Sequence, residues 1–337
     1  MSGSPFFLLI DDPSRVAESR RVASLVAERE GLSPGLIANA ALVATELATN
    51  LVKHAKQGEL HITPLSARGG PGIEILSIDR GPGISNLDEC LKDGHSTSGT
   101  SGTGLGAVRR VSQEFEISSQ VNKGTVVVSQ LRDTGAVPSL FKIGLVSRPV
   151  SGESVSGDNW AVRFEGASMT VLVADGLGHG ALAADASRAA VDAFHRASDS
   201  SPAGLVHMIH GALRGTRGAA VAVALVETNE ARVRFAGLGN IAGTIVGFEK
   251  SHSMVSHNGT AGHEVRQIKE FVYPWSRECV LVMHSDGLSS NWNPSAFPGF
   301  LRQHPSRTAA LLYREAARLR DDACIIVGRQ WSEEALQ

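Results

Sequence analysis

ATELATNLVKHA, running from Ala44 to Ala55, decides how the first half of this chain is read. Its apolar residues continue a spine of Leu36, Ala40, Val43, Leu47 and Leu51, the spacing of a helix buried along one side. Glu46, Asn50 and His54 then fall four residues apart on one polar face. Such a face is ordinary on a solvated helix, so its meaning rests on its neighbours in the chain.

Ser33-Pro34 is a start signal for this helix, and Asp12-Pro13 starts another over about Ser14 to Glu30 that stops at Gly31. The opening MSGSPFFLLIDD has a short apolar run and no basic segment, which reads as a first strand rather than a signal peptide. Strands are expected at ELHITPL and GIEILSID. A loop, KDGHSTSGTSGTG, leads into a helix over LGAVRRVSQEF, and strands EISSQ and GTVVVSQL close the segment.

Three pieces with chemical meaning follow one another here. On the helix, the Asn50 carboxamide is a hard-oxygen ligand suited to Mg²⁺, and Glu46 is placed to deprotonate a hydroxyl beside a γ-phosphate. In DRGPGI, Asp79 can accept from an adenine amino group, while Gly81 and Gly83 let backbone approach the base. In SGTGLG, Gly102, Gly104 and Gly106 leave N–H groups free to face phosphates at a helix N-terminus.

Taken together and in this order, the three pieces resemble the GHKL ATPase superfamily, and within it the anti-sigma-factor-type serine/threonine kinases of bacterial partner-switching systems. The resemblance implies a Bergerat α/β sandwich over residues 1–135, with ATP and Mg²⁺ bound. Glu46 would be the catalytic base, Asn50 the Mg²⁺ ligand and Asp79 the adenine contact. Gly102, Thr103, Gly104, Leu105 and Gly106 would meet the phosphates, Thr125 would support the adenine side, and residues 84–103 would form a lid. His54 is given no catalytic role. Histidine kinases share these boxes but carry a phosphoacceptor helix, and gyrase and chaperone relatives carry transducer domains; neither is expected here.

RDTGAVPS, from Arg132 to Ser139, changes the character of the chain, and a linker is expected over 136–141. At 337 residues the chain exceeds what one core usually supports, so a second domain is expected over 142–330. It is strand-rich, with runs such as KIGLVS, NWAVRF, SMTVLVAD, AAVAVALVE, ARVRFAG and AGTIVGF. Helices are expected near 182–196, 203–214 and 307–320. Four acidic signals punctuate it: SGDN at Asp158, VADGLGHG at Asp175, HSDGL at Asp286 and DDACIIV at Asp321-Asp322. Any one Asp-Gly is a common turn. Only Asp175 and Asp286 end an apolar strand in that way, but four acidic signals spaced along a strand-rich domain point to carboxylates converging on hard metal ions that can clamp a phosphoryl group.

This set resembles the SpoIIE-like branch of the PPM metal-dependent protein phosphatases, which implies an αββα sandwich and hydrolysis of phosphoserine or phosphothreonine with two or more Mn²⁺ or Mg²⁺. By that match Asp175 bridges the ions, the Gly176 carbonyl assists, and Asp286 and Asp321 complete the second site. Asp158 holds an accessory ion, and Asp322 is the alternative to Asp321. His179 is read as capping its turn and Cys324 as strand packing. The fold class expected for the whole chain is α+β, a GHKL unit followed by a PPM unit.

Charge narrows the partners. Residues 1–135 carry 13 basic and 15 acidic side chains and the remainder 19 of each, so no basic surface for nucleic acid or membrane is expected. No stretch reaches the ~20 apolar residues of a membrane span. Cys90, Cys279 and Cys324 have no metal-type spacing and suit a reduced, cytoplasmic setting. The expected partner is a small STAS-type antagonist protein or its phosphorylated form, with a sigma factor and a homodimer as further possibilities. The competing reading is an ATP-binding module that gates the phosphatase without transferring phosphate.

Overall fold

A computed structural model describes residues 5–68, 70–91, 104–133, 139–198, 201–263 and 265–331. The chain divides into two units, Met1–Pro138 and Ser139–Gln337.

The first unit runs β1 (Phe6–Ile10), α1 (Ser14–Arg29), α2 (Pro34–His54), β2 (Gly58–Pro64), β3 (Gly72–Ile78), α3 (Leu87–Cys90), α4 (Gly104–Val111), β4 (Glu114–Gln120) and β5 (Gly124–Arg132). Its sheet has the order β1-β2-β3-β5-β4, with neighbouring strands antiparallel. Asp12 Oδ1 accepts from Ser14 N at 2.7 Å and so starts α1, and the chain leaves α1 through Gly31, whose φ is 73°. Val43, Leu47 and Leu51 of α2 pack with Val26 and Ala27 of α1 on Leu60, Ile62, Ile73 and Ile75 of the sheet. Each large apolar side chain so buried contributes about 1.5–3 kcal/mol.

Two expectations need correction. The helix over LGAVRRVSQEF ends at Val111 rather than running through Phe115. Ser112 Oγ turns back to Val108 O at 2.7 Å and Gln113 N donates to Gln130 O at 3.0 Å, which pulls the chain into β4. Secondly, α2 at 21 residues is long and apolar enough to pass for a membrane span. It is instead the core helix of the sandwich, with Leu36, Ala40, Val43, Ala44, Leu47, Ala48 and Leu51 buried.

The second unit holds two sheets. One has the order β13 (Phe271–Pro274), β10 (Arg232–Leu238), β9 (Ala219–Glu227), β8 (Ser168–Gly176) and β7 (Asp158–Glu165). The other has the order β12 (Ser251–Met254), β11 (Ala242–Val246), β14 (Val280–His284), β15 (Ala323–Gln330) and β6 (Phe141–Arg148). Met169 of β8 reaches Gly328 of β15, and Phe141 stacks on Phe164 with centroids 6.3 Å apart, so the sheets lie face to face. The helices α5 (Ala181–Arg196) and α6 (Pro202–Ala212) cover the first sheet through Ala190, Phe194, Leu205 and Ile209. The second sheet is covered by α7 (Pro305–Ala316); a Cβ at Gly144 of β6 would come within 2.1 Å of the Pro305 carbonyl carbon. The result is an αββα sandwich. The short edge strands β12 and β13 carry too little alternation to have been anticipated.

Candidate functional site

In the first unit, α2 places Glu46 and Asn50 half-buried one turn apart, while His54 is exposed at its last turn. The start of α4 meets them. A Cβ at Gly104 would lie 3.1 Å from Glu46 Oε2 and 3.9 Å from both Asn50 amide atoms. Gly104, Leu105 and Gly106 form the first turn of α4, whose N–H groups lack intrahelical acceptors and favour an anion. Gly102 and Thr103, with lid residues 92–103, lie outside the described residues.

The other end of α2 meets DRGPGI. Asp79 is buried; its Oδ1 accepts from Gly81 N at 2.6 Å and its Oδ2 from Thr125 N at 3.1 Å. Thr125 Oγ1 pairs with Ser119 Oγ at 2.9 Å, and Ser119 Oγ accepts from Ile84 N at 2.7 Å. The carboxylate is thus held rigidly by backbone. Gly81 and Gly83 are required by the chain's own close approaches before any ligand is considered. A Cβ at Gly81 would sit 2.7 Å from His54 O, and one at Gly83 (φ 73°) 2.2 Å from Gln120 O.

In the second unit, carboxylates from both sheets collect at one end of the sandwich. Asp158 opens β7 and stands directly across the ladder from Asp175 near the end of β8. Asp286 follows β14 and Asp321-Asp322 precede β15, so these ends are adjacent in the second sheet. Burial, followed by the charge of Asp175, pushes the Asp158 carboxyl well above its usual range. Burial and the charges of Asp286 and Asp321 raise Asp175 to about 7. Burial and Asp321 raise Asp286, opposed by Arg318 and by a hydrogen bond from Asn240 Nδ2 to Asp286 Oδ2 at 2.7 Å.

The Asp321-Asp322 doublet divides its labour. Asp322 is buried and gives both oxygens to backbone, Oδ1 to Val150 N at 2.7 Å and Oδ2 to Gly157 N at 2.8 Å. Asp321 is exposed and uses only Oδ1 locally, accepting from Asp322 N at 2.9 Å. Asp322 is thus a brace for two backbone segments, and Asp321 is the more open of the two carboxylates.

Among the described residues no three acid, histidine or cysteine side chains draw close enough to form a metal shell unaided. A hard dication completes its shell with waters and substrate oxygens. The donor set, carboxylates of Asp158, Asp175, Asp286 and Asp321 with the Gly176 carbonyl at the end of β8, is all oxygen and suits Mg²⁺ or Mn²⁺ in kind.

Three supporting residues escaped the sequence reading. Ser285, adjacent to Asp286, donates from Oγ to Asp158 Oδ2 at 2.6 Å. Asn240 reaches Asp286 from the turn between β10 and β11. Glu153 Oε1 meets His179 Nδ1 at 2.7 Å. Only the position of Ser285 within HSDGL offered any signal.

Comparison with known proteins finds relatives for both units. Residues 9–130 match the family described as histidine kinase-like ATPase domain, and residues 165–330 match Stage II sporulation protein E (SpoIIE). The serine/threonine-protein kinase RsbT of Bacillus subtilis (strain 168) is 33% identical over 112 residues, which cover 33% of this chain and 84% of RsbT. A solved structure from the bacterial stressosome, a modular system adapted to control secondary messenger signaling, is 26% identical with a TM-score of 0.54. The match covers 57% of this chain and all of that one. RsbX in complex with magnesium shares the fold at 18% identity and a TM-score of 0.51, over 58% of this chain and 98% of its own.

Proposed function

Because the chain belongs to the RsbT-type GHKL serine/threonine kinases through its first unit and to the SpoIIE-type PPM phosphatases through its second, we propose that it is a bifunctional partner-switching regulator. Its first unit phosphorylates a serine or threonine of a small STAS-type antagonist protein, and its second removes phosphate from the same or a related protein. On this reading it acts in the cytoplasm, within a pathway that controls a sigma factor or a stress signal.

For the kinase step the first turn of α4 would hold the phosphates, Asn50 would hold Mg²⁺, and Asp79, kept in place by Gly81 and Thr125, would accept from the adenine amino group. Glu46, beside that turn, takes the proton of the attacking hydroxyl. In the phosphatase step Asp175, the Gly176 carbonyl, Asp286 and Asp321 would hold the divalent ions, with Asp158 on an accessory ion. Bound ions of this kind lower the pKa of water and neutralise phosphoryl charge. Ser285 and Asn240 fix Asp158 and Asp286 in position.

The observation that carries the reading is the convergence of carboxylates from two sheets, close enough to raise one another's pKa values. Intact mass of a small STAS-type protein, incubated with ATP, Mg²⁺ and either the wild-type chain or Asp286→Asn, tests it. Phosphate retained far more with the variant supports opposed activities on one substrate. No phosphate with either chain, while ATP binds, would make the first unit a nucleotide-gated binding module for that partner.

A further inference from the structure

The PPM-like end of the second unit carries two guanidinium groups that the metal chemistry does not use. Arg217 ends the loop before β9, and its Nη1 lies 3.1 Å from where a Cβ of Gly178 would be, against the loop that follows Asp175. That contact is anchored by backbone: Leu177 N donates to Gly218 O at 3.0 Å, and Arg217 O meets His263 Nε2 at 2.9 Å. Arg318 stands on the other sheet's side. Its N donates to Gly287 O at 2.8 Å, Ala317 bridges Leu288, and Leu319 takes a left-handed φ of 58° that turns the chain toward Asp321. Strain of that kind persists where surrounding contacts enforce it.

Both side chains are exposed, and among the described residues neither has a carboxylate partner at ion-pair distance. The Arg318 backbone, held on Gly287 O, sets this residue beside the loop that carries Asp286. An unpaired guanidinium at the rim of a site for a phosphate dianion offers a planar fork of donors matched to phosphate oxygens.

We infer that Arg217 and Arg318 form an anion-recognition rim that binds the phosphoryl group of a phosphorylated protein side chain from two sides of the carboxylate cluster. The inference rests on the phosphatase reading of that cluster. The two arginines come from loops of different sheets, so the rim is assembled by the sandwich.

The test uses the full chain with Mn²⁺ and the variants Arg217→Gln, Arg318→Gln and Arg318→Lys. Hydrolysis of a phosphoserine peptide and of p-nitrophenyl phosphate is followed, and Mn²⁺ and inorganic phosphate are titrated by calorimetry. Each Gln variant should raise KM for the peptide roughly tenfold and weaken inorganic phosphate by a similar factor, the scale of a charged hydrogen bond. Mn²⁺ affinity should hold, and Arg318→Lys should recover part of the loss. Unchanged phosphate affinity in both Gln variants would overturn the rim, as would Mn²⁺ affinity falling in step with phosphate affinity. If the wild-type chain hydrolyses neither ester, the phosphatase reading fails by itself. The phosphate titration then still decides whether the arginines bind the anion.

Discussion

Ser285 Oγ donates a 2.6 Å hydrogen bond to Asp158 Oδ2, joining the loop after β14 to the first residue of β7 across the two sheets. The same hydroxyl accepts from Cys324 N at 3.0 Å, so its single proton is committed to the carboxylate. Both residues are buried. Ser285→Ala leaves a buried carboxyl and a buried N–H without this partner, at a cost of about 1–3 kcal/mol. Urea denaturation of the metal-free chain should read that loss, and Mn²⁺ titration should show weaker binding. Unchanged stability would mean that Asp158 finds another donor.

The doublet before β15 gives opposite outcomes from neighbouring substitutions. Asp321→Asn keeps an oxygen for Asp322 N and should leave the melting temperature near wild type while weakening Mn²⁺ binding and phosphatase activity. Asp322→Asn removes one of the two acceptors used by Val150 N and Gly157 N and should destabilise the unit by about 1–3 kcal/mol. A stable, metal-deficient Asp322→Asn would reverse the assignment.

Asp175 sets a pH dependence whose sign follows from its raised carboxyl. Between its ordinary 3.8 and about 7, the folded chain binds more protons than the unfolded chain. Its contribution to the stability of metal-free protein therefore grows as pH falls through 7 toward 4 and is a penalty above 7. Metal competes with the same proton, so Mn²⁺ affinity should drop as pH falls below 7. Melting curves of chelator-treated wild type and Asp175→Asn, from pH 5.5 to 8.5, isolate the effect. Equal slopes in the two would remove Asp175 from the titration.

On the proposed kinase reading, Glu46 and Asn50 separate chemistry from binding. Glu46→Gln should retain ATP while phosphotransfer falls by roughly 10²–10⁴, the range for a lost general base. Asn50→Ala should weaken Mg²⁺-dependent ATP binding itself. Fluorescent-nucleotide binding and intact mass of the acceptor distinguish the two. Full transfer by Glu46→Gln would assign the base elsewhere.

Glycine substitutions test the adenine-side geometry. A Cβ at Gly124, where φ is 89°, would lie 2.0 Å from the Asp79 carbonyl oxygen. Gly124→Ala should cost more than about 2 kcal/mol and abolish ATP binding, since strain and clash add. Gly35→Ala, with nothing within 4 Å of the added carbon, should instead gain up to about 1 kcal/mol from helix propensity. Thermal melts with and without ATP read both.

The sequence by itself determined the elements and the candidate chemistry, because both are written in local periods and short spacings. The α2 spine, with Glu46 and Asn50 one turn apart, and the Asp-Gly strand ends of the second unit needed no tertiary information. Edge strands such as β12, at four residues, were below the length at which alternation is legible. Only the tertiary structure decided which glycines answer to backbone crowding, as Gly83 does against Gln120. It also decided which of Asp321 and Asp322 is left open, and which side chains hold the carboxylates. Ser285 and Asp158 are far apart in sequence, as are Asn240 and Asp286, and nothing in their local patterns specifies either pair. They meet because two sheets, each folded by its own register, stack on apolar side chains and carry their strand ends to one place.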